Sequence, residues 1–181
     1  MMETNTSAEN GAVATALSGV IVRGEQNLLA DTNKPGLAGA RAALETFYYA
    51  FNSRSPDLYK QIWADDPLVQ VYTPVGGLVS SASIAATSER MLSGPVRVQT
   101  MFKDIVAYVT PELVVFAGSE RGAYASDSEQ GATSDLSEVR SICIFRFIPK
   151  QGGWRQVYHH VSLNDPDQLA QYQRVVRGAG A

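Results

Sequence analysis

Cysteine and histidine are scarce in this chain of 181 residues, which contains one cysteine and two histidines. A single cysteine excludes a disulfide within the chain. One cysteine and two histidines are also too few for the four-residue Cys/His clusters that hold structural zinc. A chain of this length buries roughly 70% of its unfolded surface, so it needs no such cross-link to fold. The sparing use of cysteine fits a reducing compartment, and we expect a cytoplasmic protein.

An excess of charge of one sign is also missing. The 15 lysines and arginines nearly balance the 18 aspartates and glutamates, which leaves a net charge of −3. The one apolar segment near the start, Gly11 to Val22, is too short to span a bilayer, and no lysine or arginine precedes it as a signal peptide would require. We therefore expect neither nucleic acid nor a membrane as a partner.

The chain divides into three segments. Residues 1–36 read as a flexible N-terminal tail, with a short helix around Val13 to Val22, that ends at a turn rich in proline and glycine. Residues 37–163 form the domain, and residues 164–181 form a C-terminal helix, from Asp167 to Val176, and a tail. This division predicts a single folded domain.

Helical patterns fill the first half of the domain. Leu37 to Asn52 repeats apolar residues at the spacing of one buried helix face, and Asp57 to Ala64 and Ser83 to Leu92 read as two shorter helices. A short strand, Leu68 to Thr73, separates the last two.

Long strands fill the second half. The four runs are Val96 to Val109, Leu113 to Ser126, Glu138 to Pro149 and Trp154 to Ser162, with short turns between them. Short connections predict an antiparallel meander, and the segregation of helices from strands predicts an α+β fold. We expect a curved antiparallel sheet wrapped around the N-terminal helices, which leaves a cone-shaped pocket for a small molecule.

Three segments together resemble a known family. They are AFNSRSPDLYKQIWADDP from Ala50, YTPVGG from Tyr72 and GGWRQVYHHVS from Gly152. They look like the nuclear-transport-factor-2-like superfamily, and most like its SnoaL-like branch, whose last strand often reads GW(R/K)xVHHHxS. The likeness runs from Ala38 to Ser162.

The resemblance implies a cystatin-like cone that is usually dimeric through its sheet. The superfamily includes ketosteroid isomerases, scytalone dehydratase, limonene epoxide hydrolase and polyketide cyclases, but also the association domain of calcium/calmodulin-dependent protein kinase and non-catalytic transport adaptors. Fold alone therefore leaves the use of the pocket open. Tyr158 stands where the first of three histidines often stands in the branch, so we expect no triple-histidine metal site.

Both histidines lie on the final strand, where neighbouring side chains point to opposite faces. Strict alternation puts Tyr158, His160 and Ser162 on one face and His159 on the other. The second of the paired histidines is the recurrent one in the resemblance, so we expect His160 to face the pocket and to carry protons, helped by Tyr158, with Ser162 binding the substrate. Alternatively, His160 is a structural histidine at the rim of the core. We expect His159 to lie at a dimer contact.

Charged residues interrupt the other strands. Asp104 and Glu120 are candidate bases if an apolar cone raises the pKa of a carboxyl group, and Arg121 and Arg140 are candidate contacts for an anionic group of the substrate. The alternative for each is a cross-strand ion pair on a solvated or dimer face. Four aromatic residues could line the pocket or simply fill the core: Tyr48, Tyr49, Trp63 and Tyr72.

Two functions remain open from the sequence. The first is an enzyme of isomerase, dehydratase or other lyase, or cyclase type that works by acid–base chemistry, without a cofactor or a metal, on a small apolar, aromatic or polyketide-like molecule. The second is a non-catalytic module that binds a ligand or assembles with a partner. Since apolar residues occupy both faces of the long strands, we expect a homodimer through the sheet in either case.

Overall fold

The computed structural model of the chain describes residues 12–73, 78–126, 133–163, 165–167 and 170. Within them the chain forms three helices and seven strands. The helices are α1 (Gly36–Asn52), α2 (Pro56–Ile62) and α3 (Ser81–Ser93). The strands are β1 (Val13–Ala16), β2 (Gln70–Tyr72), β3 (Leu78–Ser80), β4 (Val96–Val109), β5 (Leu113–Ser126), β6 (Thr133–Ile148) and β7 (Gly153–Leu163). No helix among these residues is long and apolar enough to cross a membrane.

The helices cover one face of the sheet. The apolar repeat of α1 buries Leu44 and Phe47 among residues of the sheet, where Phe116 and Phe145 lie with their ring centroids 5.9 Å apart. All three predicted helices are confirmed. The first begins at Gly36, one residue before its predicted start. We call the helix-covered side of the sheet the inner face and the opposite side the outer face.

The strands form one sheet in the order β1-β4-β5-β6-β7-β2-β3. All neighbours pair antiparallel except β2 and β7, which run parallel. The sheet is curved and does not close on itself. The α+β fold with a curved sheet around the helices is therefore confirmed. The parallel pairing of β2 with β7 was not predicted, because we expected an antiparallel meander.

The helix predicted around Val13 to Val22 is wrong. Val13–Ala16 is a strand that adds to the edge of β4, and beyond it Val22 and Phe102 exchange backbone hydrogen bonds of 2.8 and 2.9 Å. The edge of β4 offers hydrogen-bond partners to the backbone of this segment. An isolated helix of this length would be only marginally stable in water, so the segment pairs as a strand instead. The boundaries at residues 36 and 163 stay predictions, and almost all of the predicted C-terminal helix lies outside the described residues.

Bulges curve the long strands. On β4, two residues stand opposite a single residue of β5 beyond Lys103, and Asp104 there has a left-handed backbone with φ of 55°. A second bulge lies on β7, where Gln156 pairs with Phe145 but Tyr158 already pairs with the next residue of β6. An extra residue in one strand bends the sheet and changes which side chains face inward.

Candidate active site

The bulge on β7 decides which histidine points inward. Before the bulge, Trp154 and Gln156 point inward. Val157 has no partner on β6, so beyond it the inward positions change from the even-numbered to the odd-numbered residues. Beyond the bulge the inner face holds His159, which is 8% exposed, and Val161. The expectation that His160 faces the cone and His159 the outside is therefore wrong, because it assumed strict alternation along the whole strand.

His159 is hydrogen-bonded to a buried carboxylate. Its Nε2 atom lies 3.1 Å from Oε1 of Glu120 on β5 and 3.2 Å from the hydroxyl oxygen of Ser141 on β6. Glu120 itself is 7% exposed and Ser141 1%. The three side chains come from adjacent strands of the inner face, so the sheet holds them rigidly together.

Helix α1 adds a fourth polar group. The hydroxyl of Tyr48 donates a hydrogen bond of 2.7 Å to the same Oε1 atom of Glu120, and it lies 3.9 Å from the sulfur of Cys143. Cys143 pairs directly with His159 across the β6–β7 ladder, and both Tyr48 and Cys143 are fully buried. We call Tyr48, Glu120, Ser141, Cys143 and His159 the inner cluster.

Apolar rings enclose the inner cluster. The edge of Phe47 meets the imidazole of His159 with centroids 5.1 Å apart, and Phe102 stacks on Tyr48 at 5.8 Å. Nevertheless, the side chains of His159 and Glu120 remain 10% and 9% exposed. The two side chains are therefore not completely sealed from solvent.

The partners of each group set its protonation. Burial alone would raise the pKa of Glu120, but the hydrogen bonds and charge of His159, aided by the Ser141 and Tyr48 hydroxyls, hold that pKa below its ordinary value. Burial alone would lower the pKa of His159, but Cys143 and the Glu120 carboxylate raise it above its ordinary value. Burial, with Cys143 and Glu120 beside it, raises the pKa of Tyr48, so this hydroxyl keeps its proton and remains a donor.

The outer face holds the other predicted group. His160 stacks on Tyr72 of β2 with centroids 5.6 Å apart, and its Nδ1 atom lies 3.3 Å from the Tyr158 hydroxyl. Ser162 continues the same face two residues further along β7. The predicted grouping of His160, Tyr158 and Ser162 is right, but they face away from the helices, and the expectation that they face the pocket is wrong.

The predicted charged residues separate into inward and outward ones. Glu120 is inside, whereas Asp104 sits exposed at the bulge of β4 with its carboxylate 3.3 Å from the Lys103 ammonium. Arg121 and Arg140 are exposed. The structure thus does not bring Asp104 or the two arginines to the inner cluster.

The predicted aromatic residues differ in the same way. Tyr48 contacts Glu120, and Trp63, at the end of α2, is 6% exposed with its ring 6.1 Å from that of Phe47. The indole nitrogen of Trp63 has no hydrogen-bond partner among the described residues. Tyr49 is only partly buried at the margin of the core, and Tyr72 lies beside His160.

Sequence reasoning did not single out Ser141 or Cys143 as site residues. The inward position of Glu120 did have a signal in the sequence. Glu120 lies an even number of residues from Val114 and Phe116 on β5, so the three side chains share the inner face. The bulge at Val157 has no comparable signal, because no glycine or proline marks it.

The family comparison supports the resemblance. A family model described as a SnoaL-like domain matches residues 40–166, which is most of the chain. No match was found among curated protein sequences.

Solved structures share the architecture. A protein from Thiobacillus denitrificans described as a calcium/calmodulin-dependent protein kinase type II association domain is 24% identical, with a TM-score of 0.55 over 69% of this chain and 94% of that one. A protein from Streptomyces avermitilis described as a dehydratase of the NTF2-like family is 19% identical, with a TM-score of 0.56 over 68% and 91%. A cystatin-like protein from Caulobacter vibrioides is 18% identical, with a TM-score of 0.54 over 76% and 95%. Identities this low establish the fold and leave the function open.

Proposed function

Because the chain belongs to the SnoaL-like domain family, we propose that it is a small-molecule enzyme of isomerase, dehydratase or other lyase, or cyclase type that works without a cofactor. The family includes such enzymes as well as non-catalytic members. The choice therefore rests on the chemistry of the inner cluster in this chain.

The observation that carries the proposal is the 3.1 Å hydrogen bond between Glu120 and His159 on the inner face of the sheet. The Glu120 carboxylate can take a proton from a substrate, and the His159 imidazolium beside it can give one, which is general acid–base catalysis. The hydrogen bond from Tyr48 fixes the carboxylate, and Ser141 lies against the imidazole nitrogen. Groups held this way need little rearrangement when the proton moves.

The same pair supports two of these reaction types, isomerisation and dehydration. In an isomerisation, the pair removes a proton from a carbon next to a carbonyl group and returns it to another carbon of the same molecule. In a dehydration, the pair removes the proton, the electron pair of the C–H bond forms a double bond, and the neighbouring hydroxyl leaves as water after receiving a proton. Neither reaction needs an oxidant or a reductant.

The surroundings favour an apolar substrate. Phe47 and Phe102 flank the inner cluster, and the buried ring of Trp63 lies next to that of Phe47. The substrate class we propose for such apolar surroundings is an aromatic or polyketide-like molecule whose one carbonyl or hydroxyl group meets the pair.

The test begins with a ligand. Melting of the protein is followed with a panel of aromatic, steroid-like and polyketide compounds, since a ligand that binds only the folded state raises the melting temperature. Turnover of any ligand found is then compared in wild type, His159→Gln and His160→Gln.

The two histidines serve as matched positions on one strand. We expect His159→Gln to lower turnover by about a hundredfold or more, the range of lost general acid–base catalysis, and His160→Gln to retain it. Full turnover in a folded His159→Gln protein would reject the proposal.

A second candidate is a binding or assembly module, and the outer face favours it. Large apolar side chains are exposed there, among them Ile142 at 39% and Tyr108 at 45%, and such residues commonly mark a protein contact. In this case we expect a homodimer through the sheet, ligand binding without turnover, and no effect of His159→Gln beyond stability.

We also propose a cytoplasmic location. Cys143 is the only cysteine of the chain and is fully buried as a free thiol, which fits a reducing compartment. Fractionation of cells that express the protein checks this.

A further inference from the structure

We infer that the inner cluster binds a divalent transition-metal ion of the zinc type through Glu120, Cys143 and His159. One ligand atom from each residue, a carboxylate oxygen, a thiol sulfur and an imidazole nitrogen, lies within 4.8 Å of the other two. All three residues are buried. This inference goes beyond the proposed function, because metal binding there needs no turnover.

The three ligands come from adjacent strands. Glu120 lies on β5, Cys143 on β6 and His159 on β7, all on the inner face, and Cys143 stands directly opposite His159 in the ladder. The strand bulge that turns His159 inward thus also completes the ligand set. Ligands on a rigid sheet are held together before the metal arrives, which lowers the cost of binding.

The spacing fits a small ion. Zinc stands about 2.0–2.3 Å from its protein ligands, so two ligand atoms of one tetrahedral ion lie roughly 3.3–3.8 Å apart. The 3.1 Å between Glu120 and His159 is close to this spacing, and the other separations, all within 4.8 Å, reach it if the side chains move by up to about 1 Å. The Tyr48 oxygen, 2.7 Å from the carboxylate oxygen of Glu120 and 3.9 Å from the sulfur of Cys143, or a water molecule would be the fourth ligand.

The ligand types select the metal. Calcium and magnesium prefer oxygen atoms alone, whereas a set of one sulfur, one nitrogen and one oxygen suits zinc, cobalt and related ions. On binding, the thiol of Cys143 and the imidazolium of His159 each release a proton to solvent. The thiolate and the Glu120 carboxylate then balance the two positive charges of the ion, so no net charge is left in the core.

Metal and proton compete for the same atoms. An ion on Glu120 and His159 would occupy the pair that is proposed to move protons, so it would inhibit turnover; this consequence alone rests on the proposed function. Binding is read from spectra and inhibition from turnover. The two proposals can therefore fail separately.

Cobalt(II) is the probe, because it reports both its geometry and its ligands. The full chain, without a histidine tag, is titrated with Co²⁺ while its absorption is recorded. We expect one ion per chain, the intense visible bands of a tetrahedral site, and a near-ultraviolet charge-transfer band from a thiolate. Since Cys143 is the only cysteine, that band can come from no other residue. Zinc should then displace cobalt, because the thiolate ligand favours zinc.

Two variants complete the test. Cys143→Ser keeps the size of the side chain, and we expect it to abolish the charge-transfer band. We also expect it to weaken metal binding by more than roughly 10–100-fold, which is the cost of losing a residue that only hydrogen-bonds to a metal ligand. His160→Gln removes the outward imidazole, and we expect binding unchanged; unchanged near-ultraviolet circular dichroism shows that each variant is folded. Absence of the thiolate band in wild type, its survival in Cys143→Ser, or its loss in His160→Gln would each overturn the inference.

Discussion

Glu120 is the residue on which the inner cluster depends. A carboxylate taken out of water is costly to the fold unless it is hydrogen-bonded and paired. Here one oxygen atom of Glu120 meets both the Tyr48 hydroxyl at 2.7 Å and His159 at 3.1 Å. These contacts keep the pKa of Glu120 low despite burial, so removing the charge weakens the hydrogen bonds to both neighbours.

Glu120→Gln therefore should destabilise the protein. The glutamine amide keeps the shape of the side chain and one oxygen acceptor. We therefore expect a loss of about 1–3 kcal/mol in the free energy of unfolding. Breaking a buried ion pair outright costs more, roughly 3–5 kcal/mol. Urea unfolding measures it. Glu138→Gln is the control, because Glu138 is an exposed carboxylate that pairs with Lys103 at 2.9 Å, and exposed pairs contribute little. Equal losses in both variants would show that the contacts of Glu120 do not stabilise the fold.

At the scale of elements, periodicity predicted most of the fold. The predicted bounds of β4 and β5 agree with the structure, because apolar, aromatic and β-branched residues recur along both runs and clear turns bound them. The inward position of Glu120 follows from the same regular spacing.

The inward histidine could not be predicted in this way. A bulge adds one residue to one strand without changing its composition, so the sequence around Val157 is compatible with either histidine facing the helices. Pairing with β6 decides, since it places His159 opposite the buried Cys143 and His160 opposite the exposed Ile142. The same limit applies to β1, whose partner strand lies about 90 residues away in sequence.

The segment after β1, which includes a 3-10 helix at Leu29–Asn33, makes several contacts with α1. The backbone N–H of Leu28 donates to the Thr46 hydroxyl, and the Glu45 carboxylate accepts from the backbone of Glu25. Gly24 crosses α1 so closely that a side chain there would lie 2.4 Å from the backbone of Tyr48. These contacts tie residues 19–34 to α1, the helix that carries Tyr48.

Two truncations test this segment. We expect the chain without residues 1–34 to melt at a clearly lower temperature than the chain without residues 1–18, because only the first lacks the contacts with α1. Since each 1 kcal/mol shifts the melting temperature of a domain of this size by roughly 2–4 °C, calorimetry resolves the difference. Identical melting of the two truncated chains would contradict it and support a free tail up to residue 34.

For the whole molecule, the outer face of the sheet is the surface to explain. Helices cover the inner face, but Ile142 is 39% exposed and Tyr108 45% exposed on the outer one. A second copy packed on this face would bury both, together with the ring stack of His160 and Tyr72. Since closed two-fold pairs are the commonest oligomers, a pair that meets on this face is the arrangement we expect.

Ile142→Glu should therefore separate a dimer into monomers. We expect light scattering of wild type to give twice the chain mass of 19.5 kDa and that of Ile142→Glu to give a single chain mass. Met91→Glu changes a residue of α3 that is equally exposed, at 40%, and should leave the dimer intact. A monomeric wild type, or dissociation by Met91→Glu alone, would contradict a dimer through the sheet.

The central claim is that His159, held by Glu120, is the inward imidazole, and nitrogen NMR of the two histidines tests it most directly. With only two imidazoles in the chain, His160→Gln assigns both sets of signals by removing one. We predict that the Nε2–H proton of His159 exchanges slowly with water and that its signal shifts strongly in Glu120→Gln, while the signals of His160 stay in place. A Glu120→Gln spectrum in which the His160 signals move and those of His159 do not would contradict the claim.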